Sequence, residues 1–137
     1  MTAVPRPAPV LEGLTSEFYG FLARDELRFQ RCVSCREWRH PPRARCRSCG
    51  SEDWTWERSS GRGVVFSWTT VHQVVHPAFG EVPYAVLVVE MDEGVRMIGG
   101  LADLELAALR LDLPVVATFE PVDESLTLVR FRPGGDA

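Results

Sequence analysis

The sequence predicts a mostly-β protein in two parts, a helix with a small cysteine-bearing ribbon followed by a five-stranded closed barrel. Three observations predict it. The only four cysteines of the 137 residues fall in two C-x-x-C pairs, Cys32/Cys35 and Cys46/Cys49, with ten residues between them. Apolar residues before these pairs recur at helical spacing, whereas those after them alternate with a period of two. Finally, the second half divides into five short extended stretches separated by turn signals.

Residues 1–13 read as a disordered proline-rich tail, with Pro5, Pro7 and Pro9 near its centre. Leu14, Phe18, Phe21 and Leu22 then fall at i, i+4, i+7 and i+8, which predicts a helix over 14–24. Thr15 or Ser16 is positioned to cap it, and Gly20 weakens it by about 1 kcal/mol. This aromatic stripe either packs on its own domain or docks a partner.

Leu27, Phe29 and Arg31 alternate as a strand leading into the first cysteine pair. A C-x-x-C turn aims two sulfurs at one point, and two such turns facing each other supply the four thiolates of a closed structural zinc site, here Cys32, Cys35, Cys46 and Cys49. Pro41 and Pro42 sit midway, where the ribbon reverses. Iron in a rubredoxin-like site, or two disulfides, are the competing readings; disulfides would need an oxidising compartment. His40 lies in the same loop and reads as a solvated histidine, because four sulfurs already complete the shell. Trp54 and Trp56 share one face of the next extended segment. Helix and ribbon together occupy 14–60.

Gly61-Arg62-Gly63 reads as the turn into a barrel spanning 61–133. Val64, Phe66, Trp68, Thr70, His72 and Val74 are expected on one face of a long first strand. A proline-bounded loop over 76–83 leads to a hairpin, 84–91 and 95–99, with Gly94 at its turn. Asp103 to Leu111 reads as a short capped helix with Leu104, Ala107, Ala108 and Leu111 as its stripe. Strands over 115–120 and 126–132 close a barrel of the OB type, leaving 134–137 as a loose tail.

Composition narrows the function classes. The hydrophobic fraction of 45% permits a real core, and the net charge of −4 argues against a nucleic-acid binder, although ribbons and OB barrels both include such proteins. All 15 basic residues are arginine. Nine of them lie between Arg28 and Arg62 against four acids, Glu37, Glu52, Asp53 and Glu57, a local +5 in a chain of −4. The first residues lack an apolar signal core and the longest apolar run, Ala85 to Val89, cannot span a bilayer, so a cytoplasmic, membrane-free protein is expected. The histidines are scattered: His72 and His76 lie about 13 Å apart along an extended chain. No Walker loop, nucleophile elbow or H-E-x-x-H occurs, and a closed four-thiolate zinc leaves no position for a reacting water. No catalytic residue is therefore expected.

The order of features resembles the acyl-CoA-associated family of zinc-ribbon plus OB-fold proteins, long labelled a domain of unknown function. The resemblance runs from about Leu14 to Pro133. It is carried by Phe18-Tyr19, the lead-in Leu27-Arg28-Phe29-Gln30-Arg31-Cys32, Pro41-Pro42-Arg43, and Cys46-Arg47-Ser48-Cys49-Gly50-Ser51. Further on it rests on Gly61-Arg62-Gly63, Pro83-Tyr84, Glu93-Gly94-Val95-Arg96 and Phe131-Arg132-Pro133. Arg47 replaces the proline that usually follows the third cysteine, and Asp112 replaces the glycine that usually precedes the fourth barrel strand. The resemblance implies structural zinc and a non-catalytic subunit that docks a thiolase-fold enzyme. A lipid-transfer-type thiolase-like aldolase acting on a steroid or other hydroxyacyl-CoA fits best, in a heterotetramer with two copies of each chain. A stand-alone acyl-CoA-binding module and a nucleic-acid-binding protein are the alternatives. Arg43, Arg45 and Arg62 are the candidates for CoA phosphates, because guanidinium forks suit phosphate oxygens. Phe18, Phe21, Trp38, Pro41 and Pro42 are the candidates for the partner surface.

Overall fold

The computed structural model describes residues 6–79 and 81–134. Part of each expected tail, 1–5 and 135–137, lies outside the described residues. Residues 6–12 have no regular structure, and Arg6 reaches the barrel through Glu120 at 3.9 Å and the Phe79 ring at 5.8 Å.

The helix α1 spans Gly13–Leu22, and its cap position is Glu12, with no side-chain bond. The expected caps Thr15 and Ser16 fall inside it instead. Phe18 and Leu22, from the predicted stripe, are buried. The ribbon consists of β1 (Arg28–Cys32), β2 (Trp38–Arg39) and β3 (Trp54–Arg58), antiparallel in the order β2-β1-β3. As the central strand, β1 buries both of its faces: Phe29 and Gln30 are each 0% exposed. Phe29 joins the apolar core. Gln30 satisfies its amide instead, accepting the Arg43 N–H at 2.7 Å and donating to the Arg43 carbonyl at 2.9 Å. That exchange ties β1 to the Pro41–Arg45 turn.

The barrel strands are β4 (Arg62–Val71), β5 (Tyr84–Met91), β6 (Arg96–Leu101), β7 (Pro114–Pro121) and β8 (Thr127–Pro133). They close in the order β4-β5-β6-β8-β7, with β6 and β8 parallel and the other neighbours antiparallel. Closure removes the exposed sheet edges that a five-stranded open sheet would carry. Along β5 the alternation is regular: Ala85, Leu87, Val89 and Met91 point inward and are buried. Gly63 sits where a Cβ would stand 2.5 Å from the Glu90 carbonyl oxygen, so β4 and β5 approach too closely there for any side chain.

Two expectations need correction. The register of β4 shifts between Val65 and Ser67, so its face reverses partway. Val65 points inward at 0% exposure while Phe66 stands outside at 44%; Trp68, beyond the irregularity, packs on the core. An extra residue in one strand turns every later side chain, which a fixed period of two does not anticipate. The strand also ends at Val71, leaving His72 and Val74 in the loop. The second correction is the helix expected over 103–111, which is absent. Only a 3-10 turn forms, Leu106–Ala108, and Asp103 and Asp112 on either side adopt φ of 56° and 64°. A nine-residue helix gains little from its own backbone bonds. Here Leu104 and Leu106 pack on the core separately and Leu109 is buried, an arrangement that a regular helical face would not permit.

Ribbon and barrel share one core. Phe18 and Leu22 of α1, Leu27, and Phe29 of β1 belong to the same buried cluster as Val65, Leu87, Val115 and Phe131. Among the described residues no helix is long and apolar enough to cross a membrane.

Candidate metal centre and flanking clefts

The two cysteine turns are built alike. The Cys32 carbonyl accepts the Arg36 N–H at 3.0 Å, and the Cys46 carbonyl accepts the Gly50 N–H at 2.9 Å. Each turn is closed by a second bond, Cys32 N–H to the Glu37 carbonyl and Cys46 N–H to the Ser51 carbonyl, both 2.9 Å. The fourth residue after the leading cysteine is left-handed in both, Arg36 at φ 67° and Gly50 at φ 77°. Glycine takes that conformation freely, whereas arginine is held in it.

These turns bring all four sulfurs within 4.8 Å of one another. Cys32 to Cys49 and Cys35 to Cys46 are each 3.6 Å. A disulfide needs about 2.05 Å, so the four are free thiols. A tetrahedron of sulfurs about 2.3 Å from zinc has edges of about 3.8 Å, which this spacing fits. Cys32 and Cys46 are buried residues, Cys35 and Cys49 exposed ones. Backbone N–H groups, that of Cys35 foremost, draw Cys32 down to about 6, and those of Cys49 and Ser48 draw Cys46 below the ordinary thiol value. The Glu37 N–H acts to lower Cys35 as well, but the Cys46 sulfur and burial push it up to about 12. Cys49 goes up likewise, the Cys32 sulfur and burial outweighing the Ser51 N–H. A divalent cation among the sulfurs is what allows all four to be thiolates, and the donor set is that of structural zinc.

His40 is not the solvated histidine expected. Its ring lies 5.0 Å from Phe18 and 5.1 Å from Phe29, and its Nδ1 is buried without a partner. Burial lowers its pKa to about 4, so it serves as a neutral filler between two aromatic rings. Phe18 also departs from expectation. At 5% exposure, against Tyr19, His40 and Trp56, it is packed into the chain's own core. Phe21 is half-buried against Trp56, with Arg24 and Arg28 over its ring at 5.1 and 5.2 Å. Trp38 is half-buried under Arg31 at 4.7 Å, while Pro41 is exposed and Pro42 half-buried.

The arginines assemble differently from the sequence expectation. Arg43 and Arg45 line a cleft of about 620 Å³ between ribbon and barrel, but Arg62, at the start of β4, does not. Arg39, Arg47 and Arg96 take its place. Arg39 and Arg96 come from different modules, and no local signal in the sequence links them. Arg39 is buried, donates to Gln30 Oε1 at 3.1 Å and to the Arg43 carbonyl, and lies 5.6 Å from the Trp54 ring. His72 is exposed in the loop after β4, and His76 Nδ1 accepts the Ala78 N–H at 3.0 Å. Also unforeseen is a groove of about 860 Å³ between α1, Phe79, the 81–86 segment and β6.

A closed four-thiolate ribbon fused through a shared core to a five-stranded OB barrel defines the class of protein. Two family models divide the chain: the ChsH2 rubredoxin-like zinc ribbon domain matches residues 21–55, and the ChsH2 C-terminal OB-fold domain matches residues 56–120. The chain belongs to this ChsH2, or DUF35, family. A solved structure described as the Ltp2-ChsH2(DUF35) aldolase contains a chain 36% identical, aligned over 93% of this chain and 98% of that one with a TM-score of 0.83. A probable enoyl-CoA hydratase alpha subunit of Thermomonospora curvata is 37% identical over 93% of this chain. The 3-oxo-4,17-pregnadiene-20-carboxyl-CoA hydratase alpha subunit of Mycobacterium tuberculosis is 36% identical over 77% of it. This chain spans only 40% and 33% of those two relatives.

Proposed function

We propose that this chain is an accessory subunit of a thiolase-fold enzyme, a lipid-transfer-type aldolase acting on a steroid or other hydroxyacyl-CoA, and that it helps to hold the acyl-CoA. The observation that carries the reading is the match to a chain from a two-component aldolase, over 98% of that chain's length. The steroid-CoA name of the mycobacterial relative supports the substrate class. Carbon–carbon bond cleavage is assigned to the partner, because the metal shell is closed and the three histidines are dispersed, one buried between rings, one exposed and one bonded to backbone. Zinc, when bound, holds the ribbon in shape and supplies no reacting ligand. The four cysteines Cys32, Cys35, Cys46 and Cys49 are its ligands.

Phe21, Trp38, Pro41 and Pro42 are the proposed contacts with the partner, since they carry partly exposed apolar area on the ribbon side. Arg43 and Arg45 are proposed to meet CoA phosphates from the cleft, with Arg39, Arg47 and Arg96 beside them.

Coexpression with a thiolase-fold aldolase of the same source, followed by size exclusion with light scattering, tests the reading. The expected product is a heterotetramer with two copies of each chain, and Phe21→Ala together with Trp38→Ala should weaken it at least about tenfold while zinc content is unchanged. Failure of the two wild-type chains to associate would overturn the proposal.

A further inference from the structure

We infer that the apolar groove holds the acyl end of the ligand whose phosphates enter the arginine cleft, with the ligand's linker lying along the outer row of β6. This rests on the acyl-CoA reading above and adds a place for the acyl group. The two concavities differ in chemistry. In the cleft, Arg39 is 8% exposed and its Nη1 has no hydrogen-bond partner. Arg43 has no carboxylate partner among the described residues, while Arg45, Arg47 and Arg96 reach Glu52, Glu37 and Glu90 at 3.0, 3.8 and 3.4 Å. The cleft therefore keeps a positive surplus around a buried guanidinium, as a multiply charged anion requires.

The groove is walled by Tyr19, Phe79, Val86, Ile98, Leu104 and Leu106. Two arginines, Arg6 and Arg130, and two carboxylates, Glu81 and Glu105, border it, and Glu120 engages both arginines, at 3.9 and 2.5 Å. An apolar wall with no surplus of positive charge at its border suits hydrocarbon and offers nothing to a second anion.

Strand β6 connects the two. Arg96, Ile98 and Gly100 form its outward row, because Met97 is buried and Gly99 faces the Phe131 ring. Arg96 lines the cleft, whereas Ile98 and Gly100 line the groove. Four residue steps of about 3.3 Å separate Arg96 from Gly100 by about 13 Å, an interval that an extended pantetheine arm spans. Ile98 is 68% exposed on that path, a large apolar side chain that a linker and acyl chain would cover.

Calorimetric titration of the zinc-loaded chain with CoA and with octanoyl-CoA tests this. Octanoyl-CoA is expected to bind at least about tenfold more tightly than CoA. Gly100→Phe should abolish that difference and leave CoA binding intact; the strand accepts the change, since the nearest atom to a new Cβ is Arg130 Cγ at 3.5 Å. Arg43→Ser with Arg96→Ser should weaken both ligands at least about tenfold. Equal affinity for the two ligands would overturn the groove assignment while leaving the cleft reading standing. So would a tighter octanoyl-CoA unaffected by Gly100→Phe. Binding of neither ligand would overturn the acyl-CoA assignment as a whole, without bearing on association with the aldolase.

Discussion

The ribbon and the barrel are held together by different means, although they share a core. The barrel interior is ordinary packed hydrocarbon: Val65, Leu87, Val89, Val115 and Phe131 are all 0% exposed. The ribbon has strands of five, two and five residues. Its interior holds one amide, one guanidinium and two sulfurs beside Phe29. Sheets that small lack the apolar area to offset the entropy of ordering them. What substitutes is directional bonding, the metal at one end and the Gln30–Arg39–Arg43 exchange at the other. The difference teaches that the two halves should fail under different insults.

Removal of the metal is the largest expected effect. Cys46→Ser should abolish stoichiometric zinc and release the ribbon, because structural zinc contributes roughly 10–16 kcal/mol of binding free energy in small ribbons at neutral pH. Hydrogen exchange should show β1 to β3 unprotected and β4 to β8 protected. Uniform loss of protection would mean that the shared cluster around Phe29 makes the two modules one cooperative unit. The converse insult is Phe131→Ala, which should cost about 3–5 kcal/mol in urea denaturation by opening a cavity in the barrel. Zinc content should stay at one per chain, and loss of zinc in this variant would erase the distinction between the modules.

The smallest effect belongs to acid. His40 has a folded pKa near 4 against an ordinary value of about 6.5, because burial disfavours its charged form. Its unfolded form therefore takes up a proton first. The stability tied to neutral His40 is fully present above about pH 6.5, falls as pH drops towards 4, and changes no further below that. At most about 3 kcal/mol is involved. His40→Phe should flatten the wild-type slope between pH 6.5 and 4 when both are measured with excess zinc. Identical slopes would place the acid sensitivity elsewhere.

The β5–β6 hairpin was legible because a short apolar run, Ala85 to Val89, is followed by a turn signal at Gly94 (φ 92°) and a second short stretch. The metal centre was legible because its ligands are close in sequence and chemically distinctive. What escaped depends on distant chain. The reversal of β4 at Val65–Ser67 answers to pairing with β5, and the 103–111 segment answers to where three leucines find space. His40 looked solvated because nothing nearby in sequence announces that Phe18, from a helix some twenty residues earlier, and Phe29 will enclose it. The arginine cleft assembles side chains from both modules, which is why sequence proximity groups Arg62 with Arg43 and Arg45, although it lies outside the cleft, and does not point to Arg96.

Glu93, in the β5–β6 turn, accepts the Ser59 hydroxyl at 2.8 Å and the Ser60 N–H at 2.9 Å. Those serines, with Gly61, are the whole chain linker between β3 and β4. The same turn supplies Gly94, Val95 and Arg96 to one wall of the cleft, while the ribbon supplies the other. One carboxylate thus pins the linker of one module to a turn of the other, beside a cleft whose two jaws belong to separate modules.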